Sequence, residues 1–369
     1  MVVFIDSVAA GYHRLGVWYA APSATRSQTG VQVLKDSSRR QFLATVAGAA
    51  IAARGPCLIA AARPMRGAFM ILHTPFTADG AVDWDDLARE ARFVDRCGCH
   101  GVVWPQGSSR VATLTKDERL RGMETLAEAM KGARGALVLG VQGRDTGEML
   151  EYAARAEALA SDAMIAMPPS SGRSMDDYRQ YFRALAHATR RPVIVQTSGG
   201  NRDLTPSTDL IVELAREFPH FGYVKEESAP IVERMKEELR HRPPMRGVFG
   251  ASLGVGWLYE MRLGLDGIIT GNAMLGDLMA RIWDLHERGK AAELREAYAA
   301  FLLMRNLDEQ IPGANLYLFK KRGIFKTTAT RTTAEAPGVG PRVNSTELPP
   351  DAIAEIEYRF AGLQRWLRP

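Results

Sequence analysis

From Gly67 onward, short apolar runs alternate with longer stretches in which apolar residues recur at helical spacing. The runs predict strands over 68–73, 101–104, 136–141, 163–167, 192–197, 222–225, 247–250 and 267–270. Helices are predicted between them, over 82–96, 115–131, 145–160, 175–188 and 206–217, then to Arg240 and over 254–263. Thr115-Lys116-Asp117-Glu118 is a capping box, which fixes one helix start well. Continuously apolar strands are buried on both faces, so the sheet is parallel and covered by helices. Eight β-then-α units of roughly 20–30 residues each close most economically into a (β/α)8 barrel. A doubly wound open sheet would call for a glycine-rich turn after the first strand, and His73-Thr74-Pro75-Phe76 is not one.

The pattern changes at both ends. Beyond the eighth strand, 275–307 reads as helix with a break at Gly289, 327–349 as a Thr/Pro/Gly-rich loop, and 351–366 as a last amphipathic helix. The expected division is therefore 1–62 as leader, 63–273 as barrel and 274–369 as a helical appendage. In the leader, Ser37-Ser38-Arg39-Arg40-Gln41-Phe42-Leu43 precedes a weakly hydrophobic Ala/Gly run that reaches Ala53. Paired arginines, Phe-Leu and then such a run closely resemble a bacterial twin-arginine export signal, with Ala60-Ala61-Ala62 suited to cleavage. The expected location is the periplasm or beyond, or the cytoplasm if that segment is instead a helix on the barrel.

Composition narrows the chemistry. A formal charge of +5 is spread along the chain, with no basic block interleaved with aromatics, so nucleic acid is not an expected partner. No apolar run is long and clean enough to span a membrane. Cys97 and Cys99 lie too close in sequence for an easy disulfide, have no partners for a zinc site, and are read as structural. No metal or organic cofactor is implied.

One residue stands out. Gly222-Tyr223-Val224-Lys225 reads as a buried strand that ends on a lysine, a residue type seldom fully buried unless paired. Desolvation lowers an amine's pKa, and a neutral amine can attack a carbonyl carbon to form a Schiff base. Catalytic groups of such a barrel gather at the C-terminal strand ends. Those ends supply Thr74, the turn Gly107-Ser108-Ser109, Ser170, Gln196, Lys225 and Gly250. A lysine nucleophile facing backbone N–H groups of the Gly107-Ser108-Ser109 turn suits a 2-keto acid held by its carboxylate.

Taken together, Thr74-Pro75-Phe76 with Asp79-Gly80, Gly107-Ser108-Ser109 leading to Ala112-Thr113-Leu114, Tyr223-Val224-Lys225-Glu226 and Gly267-Ile268-Ile269-Thr270-Gly271-Asn272-Ala273 resemble a known family. The chain is similar, from about Gly67 to its end, to the dihydrodipicolinate synthase and N-acetylneuraminate lyase group of Schiff-base aldolases. The resemblance implies that Lys225 forms the imine and that Ser108 and Ser109 stand for the family's Gly-Thr-Thr turn, which binds the pyruvate carboxylate. It also implies a homodimer or homotetramer acting on a small keto acid or sugar acid.

The sequence departs from the family's pattern at several points. The tyrosine that relays protons falls at Gln196, and an amide is neither acid nor base at neutral pH. Pro-Tyr-Tyr becomes Pro168-Pro169-Ser170, Arg110-Val111 replace a Gly-Glu-Ser, and Ala251-Ser252 replace the lyase branch's acidic pair. Gln196 and Ser170 are therefore expected to line the pocket without moving protons, with Tyr223 and His73 as candidate substitutes for the lost tyrosine. The expected activity is that of a keto-acid lyase or aldolase. A keto-sugar-acid dehydratase and a keto-acid-binding protein that has lost turnover are the alternatives.

Overall fold

Strands of three to five residues are long enough to cross a barrel wall once, and this chain makes eight parallel ones. The structure, a computed structural model, describes residues 63–332, 342–345 and 347–368, so the expected leader lies outside the described residues. The strands are β1 (Gly67–Ile71), β2 (Gly101–Trp104), β3 (Ala136–Gly140), β4 (Ala163–Ala166), β5 (Val193–Gln196), β6 (Tyr223–Lys225), β7 (Gly247–Gly250) and β8 (Gly267–Thr270). They pair in sequence order into a closed barrel, and the parallel β1–β8 pair completes the ring.

Closure rests on backbone contact. Gly67 and Gly267 face each other across the β1–β8 seam, and a Cβ on Gly267 would lie 2.0 Å from the Gly67 carbonyl oxygen. Gly267 also has φ of +155°, where a side chain is strained regardless of space. Only glycine fits there.

Alternation along each strand divides the side chains into two sets. Phe69, Ile71, Val103, Val138, Ile165, Ile194, Phe249 and Ile269 pack together inside the barrel. Met70, Val102, Leu139, Val195, Val224 and Ile268 belong to the larger outer core, against the helices. On β5 and β6 the inward positions are Ile194 and Gln196, and Tyr223 and Lys225.

The covering helices are α1 (Trp84–Arg96), α2 (Lys116–Ala129), α3 (Thr146–Ala158), α4 (Met175–Ala188), α5 (Thr208–Glu217), α6 (Ile231–Arg240) and α7 (Trp257–Leu263). Five of them start on a side-chain cap written in the sequence: Asp83, Thr115, Asp145, Ser174 and Ser207 each accept from a backbone N–H inside the first turn. β1 stops two residues before the expected end, because the His73 N–H leaves the ladder and donates to the buried Glu90 carboxylate at 3.0 Å.

The helix expected over 275–307 is two helices, α8 (Gly276–Glu287) and α9 (Ala291–Arg305), parted at Gly289 with φ of +65°. Short helices α10 (Leu307–Gln310) and α11 (Ala314–Lys321) follow, and α12 (Pro350–Ala361) ends the appendage. The segment expected to be loop over 327–349 instead contains an antiparallel pair, β9 (Ala329–Thr332) and β10 (Arg342–Ser345). These strands lack apolar alternation, and what fixes them lies far away in sequence. Arg331 forks onto Glu118 at 2.8 and 2.9 Å, donates to the Gly80 carbonyl at 2.6 Å and covers the Phe76 ring. Among the described residues no helix is long and apolar enough to cross a membrane.

Candidate active site

Lys225 is the last residue of β6, and its inward side chain is almost wholly buried, with 4% of the residue exposed. The Nζ donates to Gln196 Oε1 at 3.1 Å and lies 3.0 Å from Glu227 Oε2. Burial holds the amine's pKa below its usual value, and the Glu227 carboxylate opposes that shift. Gln196 is the register partner of Lys225 on β5, so the backbone pairing itself sets the two side chains side by side. Its other end, Nε2, donates to Glu227 Oε1 at 3.0 Å and contacts Ser198 Oγ at 3.0 Å. The Ser198 hydroxyl also donates to Glu227 Oε1. Lysine, amide and carboxylate thus form a closed ring, two sides of it hydrogen bonds and the third the Lys225–Glu227 ion pair.

Glu226 and Glu227 diverge although they are neighbours. Glu226 is buried and turned away from the lysine, taking hydrogen bonds from Arg234 Nε at 2.9 Å, Thr197 Oγ1 at 2.7 Å and the Ser228 N–H at 2.7 Å. Behind it, burial and the Glu226 charge raise the Glu238 carboxyl to about 10, so Glu238 is protonated at neutral pH. Glu227, which sequence reasoning passed over as the polar exit of the strand, is the carboxylate that meets the nucleophile. A loop residue carries no periodicity, so its place two residues past Lys225 does not single it out in the sequence.

The turn after β2 is a single turn of 3₁₀ helix, Gly107–Ser109, and its two serines part company. The buried Ser109 hydroxyl donates to the Leu72 carbonyl at 2.6 Å and accepts from the Gln106 N–H at 3.0 Å. Its N–H donates to the Gln106 carbonyl at 3.0 Å, so Ser109 holds the turn's shape. Thr74 works with it, donating to the Ser109 carbonyl at 2.5 Å and accepting from Trp104 Nε1 at 3.1 Å. Ser108 and Gly107 instead line the mouth cavity, and Gly271 makes room for Ser108, since a Cβ there would lie 2.5 Å from its Oγ. Arg110 follows with φ of +54°, a left-handed backbone uncommon for a non-glycine residue.

That cavity measures about 370 Å³, within the usual range of small-molecule sites. Its charged groups are Arg110 and Arg305 against Asp308. Arg305 pairs with Asp308 at 3.3 Å, while Arg110 has no acidic partner among the described residues. His73 also lines it, with its pKa lowered to about 4 by burial and by Arg110, so the ring is neutral at pH 7. The Glu90 carboxyl 3.8 Å from His73 Nδ1 is pushed well up by burial, and the neutral His73 ring supplies no charge to oppose that shift. Lys225 does not itself line the cavity, being capped by its bonds to Gln196 and Glu227.

The remaining expected site residues fall elsewhere. Gly250 ends β7, and its missing Cβ admits the Glu260 carboxylate from α7, whose Oε2 would be 1.8 Å from a Cβ. Ser170 is exposed after β4, where its carbonyl accepts from Arg173, and it has no hydrogen bond to the lysine cluster. Tyr223 packs with the interior residues two positions before Lys225, roughly 6–7 Å down the barrel. Cys97 and Cys99 are buried free thiols. Among the described residues no group of three or more His, Cys, Asp or Glu could hold a metal ion.

A closed eight-stranded parallel barrel with alternating helices defines the (β/α)8-barrel class. The chain belongs to the dihydrodipicolinate synthetase family, whose pattern matches residues 64–311, and it is an enzyme of that family's carbon–carbon lyase type. It is 29% identical over 239 residues to the 4-hydroxy-tetrahydrodipicolinate synthase of Chlorobaculum parvum, a match that covers 64% of this chain and 79% of the relative. The fold is shared with the dihydrodipicolinate synthase of Aquifex aeolicus, at a TM-score of 0.68 and 18% identity over 82% of this chain and all (100%) of that one. The Clostridium difficile protein CdNal, solved in complex with mannosamine, shares it equally, at a TM-score of 0.67 and 18% identity over 82% of this chain and 100% of that chain.

Proposed function

We propose that the protein is a lyase or aldolase that forms a Schiff base between Lys225 and pyruvate or another 2-keto acid. The observation that carries this reading is the buried Lys225 amine at a barrel strand end, with its pKa lowered by desolvation and a carboxylate within hydrogen-bond reach. Burial favours the neutral, nucleophilic form, and the imine that follows withdraws electrons from the neighbouring carbon–carbon bond. That withdrawal is the electron sink, so the reading calls for no metal or organic cofactor.

The surroundings suit an acidic substrate. Ser108 and the first amides of its turn border the cavity, and Arg110 with Arg305 leaves the wall with one positive charge beyond Asp308. An anionic keto acid, including a sugar-derived one, complements that charge. The reading carries with it a homodimer or homotetramer, which light scattering checks. It also carries export through the twin-arginine route.

The test is borohydride trapping of the protein with a panel of 2-keto acids, read by peptide mass. The expected result is a reduced adduct on Lys225 with at least one acid and none in Lys225→Ala. Calorimetric binding of an acid without any adduct would replace this reading with that of a keto-acid-binding protein.

A further inference from the structure

We propose that Glu227 is the proton carrier of imine formation, with Gln196 and Ser198 as the positioning residues that hold it against Lys225. The inference rests on the reading of Lys225 as the nucleophile. Schiff-base formation needs a group that takes protons from nitrogen and gives them to the departing oxygen. At the lysine of this chain the strand-end neighbour is an amide, which can do neither.

Other candidates near the mouth are excluded by their geometry. Tyr223 lies on the same inward face but roughly two residue rises, 6–7 Å, down the barrel. His73 makes no hydrogen bond to the Lys225 Nζ; its Nδ1 lies 3.8 Å from Glu90 with no hydrogen-bond partner, and its ring packs on Phe319 at 4.7 Å. Glu226 is committed to Arg234, Thr197 and Ser228, and Glu238 is buried behind it. Among the described residues Glu227 is the titratable side chain within hydrogen-bond distance of the Lys225 Nζ.

Its setting separates it from an ordinary ion pair. Glu227 Oε1 is fixed by two donors, Ser198 Oγ and Gln196 Nε2, which leaves Oε2 directed at the Nζ, 3.0 Å away. The Glu227 N–H donates to Thr197 Oγ1 at 3.0 Å, which anchors the backbone. The side chain keeps 19% of its surface exposed against 6% for the lysine, so the carboxylate is the more accessible member of the pair. Gln196 joins the two, accepting from the amine and donating to the carboxylate. The amide acts as a spacer that keeps the proton carrier in register with the nucleophile.

The proton balance closes on these two residues. Glu227 first takes a proton from the Lys225 ammonium. The freed lone pair attacks the keto carbon, forming the C–N bond, while the carbonyl oxygen takes that proton back from Glu227. Glu227 then removes a second proton from the nitrogen to give the neutral carbinolamine. It passes this proton to the hydroxyl, which leaves as water as the nitrogen lone pair forms the C=N bond. The products are the protonated imine, water and the Glu227 carboxylate with which the sequence began.

The test compares Glu227→Gln, Glu227→Asp and Glu227→Ala with the unaltered protein, using pyruvate and cyanoborohydride and timing adduct growth on Lys225 by mass. Glu227→Gln is expected to slow adduct formation by about 100-fold or more while leaving pyruvate binding in calorimetry intact. Glu227→Asp is expected to fall between. In Glu227→Ala, added formate or acetate is expected to raise the rate in proportion to its concentration, with no such effect on the unaltered protein. A lost structural contact would not respond to a small carboxylate in this way. Adduct growth in Glu227→Gln at the unaltered rate overturns the proposal. So does a slow Glu227→Ala that melts normally, binds pyruvate and ignores formate and acetate. If Glu227→Ala does not fold, the ordering of the Gln and Asp variants decides. Should pyruvate give no adduct on the unaltered protein, the comparison is run with the acid of the panel that does, and absence of an adduct with every acid overturns the imine reading itself, and this proposal with it.

Discussion

Gln196 and Lys225 are paired twice, once as register partners on β5 and β6 and once through the 3.1 Å bond between Oε1 and Nζ. A buried ammonium has few ways to satisfy its three donors, so the amide oxygen is a main support of the lysine in the resting protein. Replacing Gln196 by Leu removes that acceptor and also frees Glu227 Oε1 of one donor. The expected cost is about 1–3 kcal/mol in urea unfolding, the penalty of a buried polar group left short of a partner. Adduct formation on Lys225 is expected to slow rather than vanish, because Ser198 still holds the carboxylate. Unchanged stability and unchanged adduct rate in Gln196→Leu would show that the pairing carries no weight.

The barrel seam gives a sharper structural prediction. Gly267→Ala places a Cβ 2.0 Å from the Gly67 carbonyl oxygen at a φ of +155°. No rotamer relieves a backbone clash, so β1 and β8 must separate locally. A loss of about 3 kcal/mol or more is expected in chemical denaturation. Gly132→Ala, at a φ of +74° but with no atom within 4 Å of the added Cβ, carries the backbone strain without the clash and is the control. Equal losses in the two variants would remove the clash as the cause.

The barrel was legible because burial on both faces writes itself as continuous apolar runs. The runs at 101–104, 247–250 and 267–270 coincide with β2, β7 and β8, and the cap residues mark where α1 to α5 begin. What the sequence hid were contacts made across long separations. The β9–β10 pair depends on Arg331 reaching Glu118, 213 positions earlier. In the site, Lys225 and Gln196 were found from their place at strand ends, and the structure joins them. Ser109, Thr74 and Gly250 were found by the same rule, yet their polar or missing atoms are spent on the turn and on Glu260. Strand-end position says that a residue is at the mouth, not which way its donors point. Glu227 escaped because no local pattern distinguishes a carboxylate that folds back from one that stays in solvent.

Glu260 makes stability depend on pH in a predictable direction. Burial without compensating charge raises its carboxyl from 4.5 to about 7. Between those values the unfolded chain holds fewer protons than the folded one, so folding weakens as pH rises from 4.5 and levels off above 7. The full loss amounts to roughly 3 kcal/mol. Glu260→Gln keeps the shape and removes the ionisation. Its melting temperature is expected to exceed that of the unaltered protein clearly at pH 8 and little, if at all, at pH 5. The same difference at both values would mean that the buried carboxyl does not titrate as described.

The export reading has a direct check. Replacing Arg39 and Arg40 together by lysine preserves charge while removing the paired guanidinium groups. In a bacterial host with a twin-arginine system, the unaltered chain is expected in the periplasmic fraction and the double-lysine chain in the cytoplasm. Equal fractionation of the two would put the expected leader out of use as a signal.

The closing pair of the barrel joins the first strand made to the last. Gly67–Ile71 leaves the ribosome about 200 residues before Gly267–Thr270, its partner across the seam. Until then the growing sheet ends in two unpaired strand edges, each a template for pairing with another chain. The long wait also makes closure a non-local, slow step. The arrival of β8 therefore marks the earliest moment at which the barrel sheet has no open edge, and a chain halted before it would keep two.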